Sequence, residues 1–144
     1  MTLAGLAAGC GVLGGPPQQA PPGGAFATQL AARVVPAMEA VESDPSMRMV
    51  CTAKVFGRDP ATASSVRDVR VVYAWVACQQ VGGTTNEVIP VAVSLADPPA
   101  VRSPRDGEDA DYDRIFPPDV RDWARRDPST LGALAPSMPV PQPT

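Results

Sequence analysis

The chain has 144 residues, a formal net charge of −3 and no histidine. The missing histidine excludes Ser-His-Asp and Cys-His nucleophilic centres and His-ligated zinc or iron sites. The negative charge argues against nucleic acid as a partner, because nonspecific binding needs a basic face. The residue pattern indicates no cofactor, and the length predicts one small domain.

The charged side chains mark the extent of that domain. The first is Arg33 and the last is Asp127. The flanking segments are rich in Pro, Gly, Ala and Gln, and such segments bury too little apolar surface to offset the entropy lost on folding. We therefore predict a flexible Gly/Pro tether over residues 11–25, a single folded domain over 26–127 and a disordered Pro-rich tail over 128–144.

The N-terminal segment "LAAGC", residues 6–10, resembles the lipobox of bacterial lipoproteins. Ala8 and Gly9 match the small pair before the cysteine, and Ala7 stands where Leu is more usual. The resemblance implies that residues 1–10 are a signal remnant and that Cys10 carries the lipid. It also implies that the membrane is a partner and that the protein lies on the outer face of the cytoplasmic membrane, or is secreted.

The residues before Cys10 lack one part of a signal sequence. A signal begins with a basic region, and none of the nine residues before Cys10 is Lys or Arg. We therefore expect the reading frame to start upstream of Met1. The alternative is a disordered tail with an incidental cysteine.

The first predicted element is a helix over residues 26–42. Apolar residues recur there every three or four positions, which is typical of a helix packed on a sheet. Pro36 is expected to kink or restart the helix, because proline cannot donate to the Ala32 carbonyl. The apolar stripe consists of Phe26, Leu30, Val34, Met38 and Val41.

Two strands follow, one around Cys51 and one over residues 69–79 that is apolar on both faces. The second strand therefore belongs in the centre of a sheet. If the strands pair antiparallel with Cys51 opposite Cys78, Val55 faces Ala74, and the two cysteines lie within disulfide range. The same register places Phe56 opposite Tyr73. We predict a Cys51–Cys78 disulfide; the alternative is two buried thiols.

The remaining pattern predicts a third strand over residues 87–95 and a final short helix over 118–126. Pro90 places the third strand at an edge or gives it a bulge. Residues 97–107 are expected to be extended and irregular. The predicted fold class is α+β, with a small antiparallel sheet of about three strands and both helices on one face.

The acidic segment "DGEDADYD", residues 106–113, is the densest polar feature. Asp109, Asp111 and Asp113 alternate like the first ligands of a calcium loop. A loop of the EF-hand type would need Gly at position 114 and Glu at 120, where the chain has Arg114 and Val120. We favour a solvated acidic turn and keep a looser calcium site as a weak alternative.

Two classes of function remain open. The first is a membrane-tethered lipoprotein with a non-catalytic binding or structural role, whose partner is a protein or the cell envelope. The second is a small secreted enzyme or enzyme regulator that uses the acidic segment 106–113. Trp123 is the candidate for a binding surface, whereas Trp75 is expected in the core. Residues 73–120 resemble small secreted proteins of high-GC Gram-positive bacteria, and this resemblance implies no particular function.

Overall fold

The computed structural model describes residues 16–81, 87–105 and 108–126. Cys10 and the predicted tail over 128–144 lie outside these residues. Three helices and four strands are described, which confirms the α+β class. In chain order they are α1 (Gly24–Glu42), β1 (Met49–Asp59), β2 (Val71–Gln80), β3 (Glu87–Ser94), β4 (Ala100–Arg102), α2 (Asp109–Ile115) and α3 (Pro118–Ala124).

The strands form one antiparallel sheet in the order β1-β2-β3-β4. The fourth strand was not predicted, because its three residues are too few to show an alternating pattern. It pairs with the last three residues of β3, Ala92–Ser94. Pro90 lies earlier in β3, where β4 does not reach, so this stretch lies at the sheet edge that the sequence predicted for Pro90.

Helices cover both faces of the sheet, so the prediction that both lie on one face is wrong. On one face α1 buries Leu30, Val34 and Met38 against β2 and its neighbours. On the other face Phe116, which follows α2, and Val120 of α3 form a second buried cluster with residues of the sheet. The central strand β2 is apolar on both sides, and only a layer on each side can keep both sets of side chains from water.

Helix α1 runs through Pro36 as one element. Proline removes one helical hydrogen bond, to the carbonyl of Ala32. Both residues lie on the exposed side of the helix, where water can bind that carbonyl. The predicted apolar stripe is buried at its centre, whereas Val41 near the helix end is 61% exposed.

Strand β1 contains a β-bulge that the sequence pattern did not predict. The predicted register holds as far as Val55 opposite Ala74, but Gly57 and not Phe56 then lies opposite Tyr73. Phe56 is the extra residue and is fully buried. Gly57 lets α3 approach, since a Cβ atom there would lie 2.4 Å from Cγ1 of Val120.

The folded domain begins earlier than residue 26, the boundary that the sequence predicted. Gln19 is bound to α3 through its backbone, because its N–H donates to the Asp119 carbonyl (2.7 Å) and its carbonyl accepts from Trp123 Nε1 (2.8 Å). The side chain of Gln18 contacts the same helix through the Pro118 carbonyl (2.8 Å) and the Asp122 N–H (3.0 Å). The Pro- and Gly-rich pattern predicted a tether over all of residues 11–25, but Gln18 and Gln19 bind part of this segment to the domain.

Side chains from outside the sheet bind three outward N–H groups and one outward carbonyl of β1, which is an edge strand. Ser43 Oγ accepts the Met49 N–H, and Glu39 Oε2 accepts the Cys51 N–H, both at 3.0 Å. Farther along, the Gln19 amide accepts the Arg58 N–H (3.1 Å) and donates to the Arg58 carbonyl (2.8 Å). Gln19 therefore pairs with β1 much as a neighbouring strand would.

Replacing Gln19 tests this attachment of the N-terminal segment. The Gln19→Ala change leaves both backbone groups of Arg58 without their protein partner, and we expect it to destabilise the fold by about 1–3 kcal/mol. Urea denaturation followed by tryptophan fluorescence measures the loss. Gln29→Ala, at an exposed position of α1, is the matched control and should leave stability almost unchanged. Equal stability of the two variants would show that the Gln19 side chain contributes nothing to the fold.

Candidate functional site

The predicted disulfide between Cys51 and Cys78 is confirmed. The two residues are directly opposed on β1 and β2, their Cα atoms are 4.1 Å apart and their sulfurs are bonded. The bridge lies on the side of the sheet that α1 covers, where Cys51 is 4% exposed. The alternative of two buried thiols is thereby excluded.

The acidic segment is not a turn beyond Glu108, because it forms most of helix α2, but Asp109 and Asp113 are exposed to solvent as predicted. Helical geometry places Asp109 and Asp113 on one side, since residues four positions apart are neighbours. Asp111 lies on the opposite side and is only 2% exposed. Sequence analysis did not predict this helix, because its seven residues have too few apolar positions to show a helical period. Asp106, also in the predicted acidic segment, lies outside the described residues.

Each of the three aspartates is paired with arginine. Asp111 accepts the backbone N–H of Arg105 (2.9 Å) and its Nε (3.1 Å), and its other oxygen contacts the guanidinium of Arg114. Asp109 and Asp113 both pair with Arg125, at 3.6 and 3.3 Å, and Asp113 also pairs with Arg121. The carboxylates thus link α2 to the chain before it and to α3.

The geometry does not support the calcium site considered for Asp109, Asp111 and Asp113. Their carboxylates diverge on two sides of α2 instead of surrounding one point, as calcium ligands must. Within residues 16–81, 87–105 and 108–126, no three His, Cys, Asp or Glu side chains are arranged to hold a metal ion.

Trp123, the predicted binding-surface residue, is half-buried and has internal partners. Its indole N–H donates to Gln19, its ring lies edge-on to Trp75 with centroids 6.2 Å apart, and the Arg126 guanidinium covers it at 3.8 Å. The ring therefore presents little open surface to a ligand. Trp75 is 1% exposed, as expected for a core residue.

A groove of about 480 Å³ lies between β4 and α2. Its polar lining consists of Arg102, Ser103, Arg105, Arg114 and the buried Asp111. Three guanidinium groups come from separate positions along the chain, and they outnumber the carboxylates described there. Sequence analysis did not single out these arginines, because no periodicity connects residues in an extended segment with a residue on a helix. We call this the arginine groove.

Tyr73, on the α3 side of the sheet, stays protonated at physiological pH. Burial raises its pKa to about 12, and the nearby charges of Asp59 and Asp119 act in the same direction. The phenol is therefore not poised to exchange protons near neutral pH, as a general acid or base would be.

No protein-family model, curated protein or solved structure matches this chain. None of the described helices is both long enough and apolar enough to cross a membrane. The candidate site therefore rests on its own geometry, in which the arginine groove is a concave surface lined mainly by polar side chains.

Proposed function

We propose that the protein is an extracytoplasmic lipoprotein with a non-catalytic binding role, anchored through lipid on Cys10. The observation that carries the proposal is the Cys51–Cys78 disulfide. Structural disulfides persist in oxidising compartments and are rare in the cytosol, so the bond favours export. It also occupies two of the three cysteines, and Cys10 in the lipobox-like segment is the third.

The anchored domain would lie close to the membrane. Six residue steps separate Cys10 from Pro16, where the described chain begins, and a fully extended chain of that length spans about 20 Å. The segment predicted as a tether would reach more than twice as far if all of residues 11–25 were extended. Because Gln18 and Gln19 are bound to α3, the end of the domain that contains α3 would be nearest the lipid.

Fractionation of cells tests the anchor. Expressed from its own gene, the protein is expected in the membrane fraction and should incorporate labelled fatty acid. Cys10→Ser removes the sulfur that would carry the lipid and should move the protein to the soluble fraction without the label. Two or more acyl chains hold a protein on a membrane stably, so the change in distribution should be nearly complete.

A matched cysteine control separates anchoring from folding. The double variant Cys51→Ser/Cys78→Ser retains Cys10 and should stay labelled and membrane-bound even though its domain is less stable. A wild-type protein that is soluble and unlabelled would refute the proposal. So would a Cys10→Ser variant that remains in the membrane fraction to the same extent as the wild type.

A further inference from the structure

The arginine groove is built around one buried carboxylate. The side chain of Asp111 is 3% exposed, whereas those of Arg105 and Arg114 are 72% and 62% exposed. The aspartate therefore lies at the base of the groove and contacts two arginines that extend toward solvent. This contact limits the freedom of two long side chains before any ligand arrives, which lowers the entropy that binding must offset.

The arginines keep hydrogen-bond donors available after pairing with Asp111. A guanidinium has five N–H donors. Arg105 uses Nε toward the carboxylate, so its two terminal nitrogens remain available within the described contacts. Arg102 has no ion-pair partner among the described residues. Ser103 adds a hydroxyl to the same lining.

The described lining of the groove has a net positive charge, whereas the protein as a whole has a net negative charge. Arg102, Arg105 and Arg114 supply three positive charges, and Asp111 neutralises one. The other acidic residues of α2, Asp109 and Asp113, lie on the opposite side of that helix. They pair with Arg121 of α3 and with Arg125, the residue that follows α3. The described groove therefore retains a net charge of two positive units, which favours an anion there.

We propose that the arginine groove is a binding site for a phosphate group. A phosphate monoester carries a charge near −1.5 to −2 at neutral pH and three strong acceptor oxygens. This charge matches the net charge of two positive units in the groove, and the planar fork of arginine suits phosphate oxygens. The site goes beyond the lipid anchor and does not depend on it, because all of its residues belong to the folded domain.

Titration of the full chain with inorganic phosphate tests the site. Backbone amide resonances are followed while chloride is replaced by phosphate at constant ionic strength. Saturable shifts are expected at residues 101–105 and 108–115. Arg102→Gln removes a guanidinium that does not contact Asp111, so the fold should be retained, and phosphate affinity is expected to fall roughly tenfold.

Arg33→Gln is the matched control, because it makes the same charge change at an exposed position of α1. It should alter phosphate affinity less than twofold, by a change in net charge alone. An equal loss of phosphate affinity in both variants would show that phosphate binding depends only on the net charge of the protein. Absence of saturable shifts at these residues in the wild-type protein would also refute the site.

Vesicles distinguish the two sources of a phosphate group. The same chain with Cys10→Ser is mixed with vesicles of neutral lipid, with or without phosphatidic acid. Co-sedimentation with the acidic vesicles that Arg102→Gln abolishes would identify a lipid headgroup as the source. Shifts with inorganic phosphate without vesicle binding would identify a soluble or polymer-borne phosphate. Because this protein lacks Cys10, neither result depends on the lipid anchor.

Discussion

Replacing both bridge cysteines, Cys51→Ala/Cys78→Ala, is expected to lower the free energy of unfolding by about 3–4 kcal/mol. The two residues are separated by 27 positions, and a cross-link of that span removes conformational freedom from the unfolded chain. Urea denaturation of the oxidised wild type and of the variant, followed by far-ultraviolet circular dichroism, measures the difference. Under non-reducing conditions the wild-type protein should contain one free thiol, at Cys10, if that residue is unmodified.

The control for this experiment is Cys10→Ala, which also removes a thiol but breaks no bridge. It should unfold at the urea concentration of the wild type. Adding a reductant to the wild type should reproduce the stability of the double variant. If the double variant and the oxidised wild type unfolded together, the bond would contribute no stability.

Phe56→Ala is expected to destabilise the domain by about 3–5 kcal/mol, the usual loss for truncating a fully buried phenylalanine. Its ring centroid lies 4.6 Å from that of Trp75 and 6.1 Å from that of Phe116. The side chain thus joins the sheet to the layer that contains α2 and α3. Its removal leaves a cavity between two layers that the rest of the core cannot fill. Thermal or urea denaturation measures the loss.

Two further variants determine whether packing causes this effect. Phe56→Leu refills most of the cavity and should recover a large part of the lost stability. Val41→Ala removes an apolar side chain that is 61% exposed, and it should change stability by less than about 0.5 kcal/mol. A loss in Phe56→Ala no larger than that in Val41→Ala would contradict the packing described for the bulge.

The parts of the fold that the sequence predicted are those with long, regular patterns. The 19-residue helix α1 and the doubly apolar strand β2 have enough apolar positions to show a period. Aligning Cys51 with Cys78 fixed the pairing of the first two strands through Val55. The same double-sided pattern in β2 also implied helices on both faces, although a single helical layer was predicted.

The parts of the fold that the sequence did not predict depend on contacts between distant segments. The bulge at Phe56 arises where β1 meets Tyr73 and α3, and one residue inserted into a strand has no local signal. Strand β4 and helix α2 are too short to show a period. The arginine groove combines residues from both of these elements, so it becomes visible only once they are placed. Cys10 was identified from a local motif and remains a prediction.

The occupied edge of β1 has a consequence for how copies of the protein meet. An open edge strand is a template on which another chain can add a strand, the first step of fibril growth. Here Ser43, Glu39 and Gln19 accept its outward N–H groups at Met49, Cys51 and Arg58. Only Ala53 and Val55 lie between them with the same outward orientation. Molecules crowded on a surface would therefore have few free N–H groups along β1 through which to join their sheets.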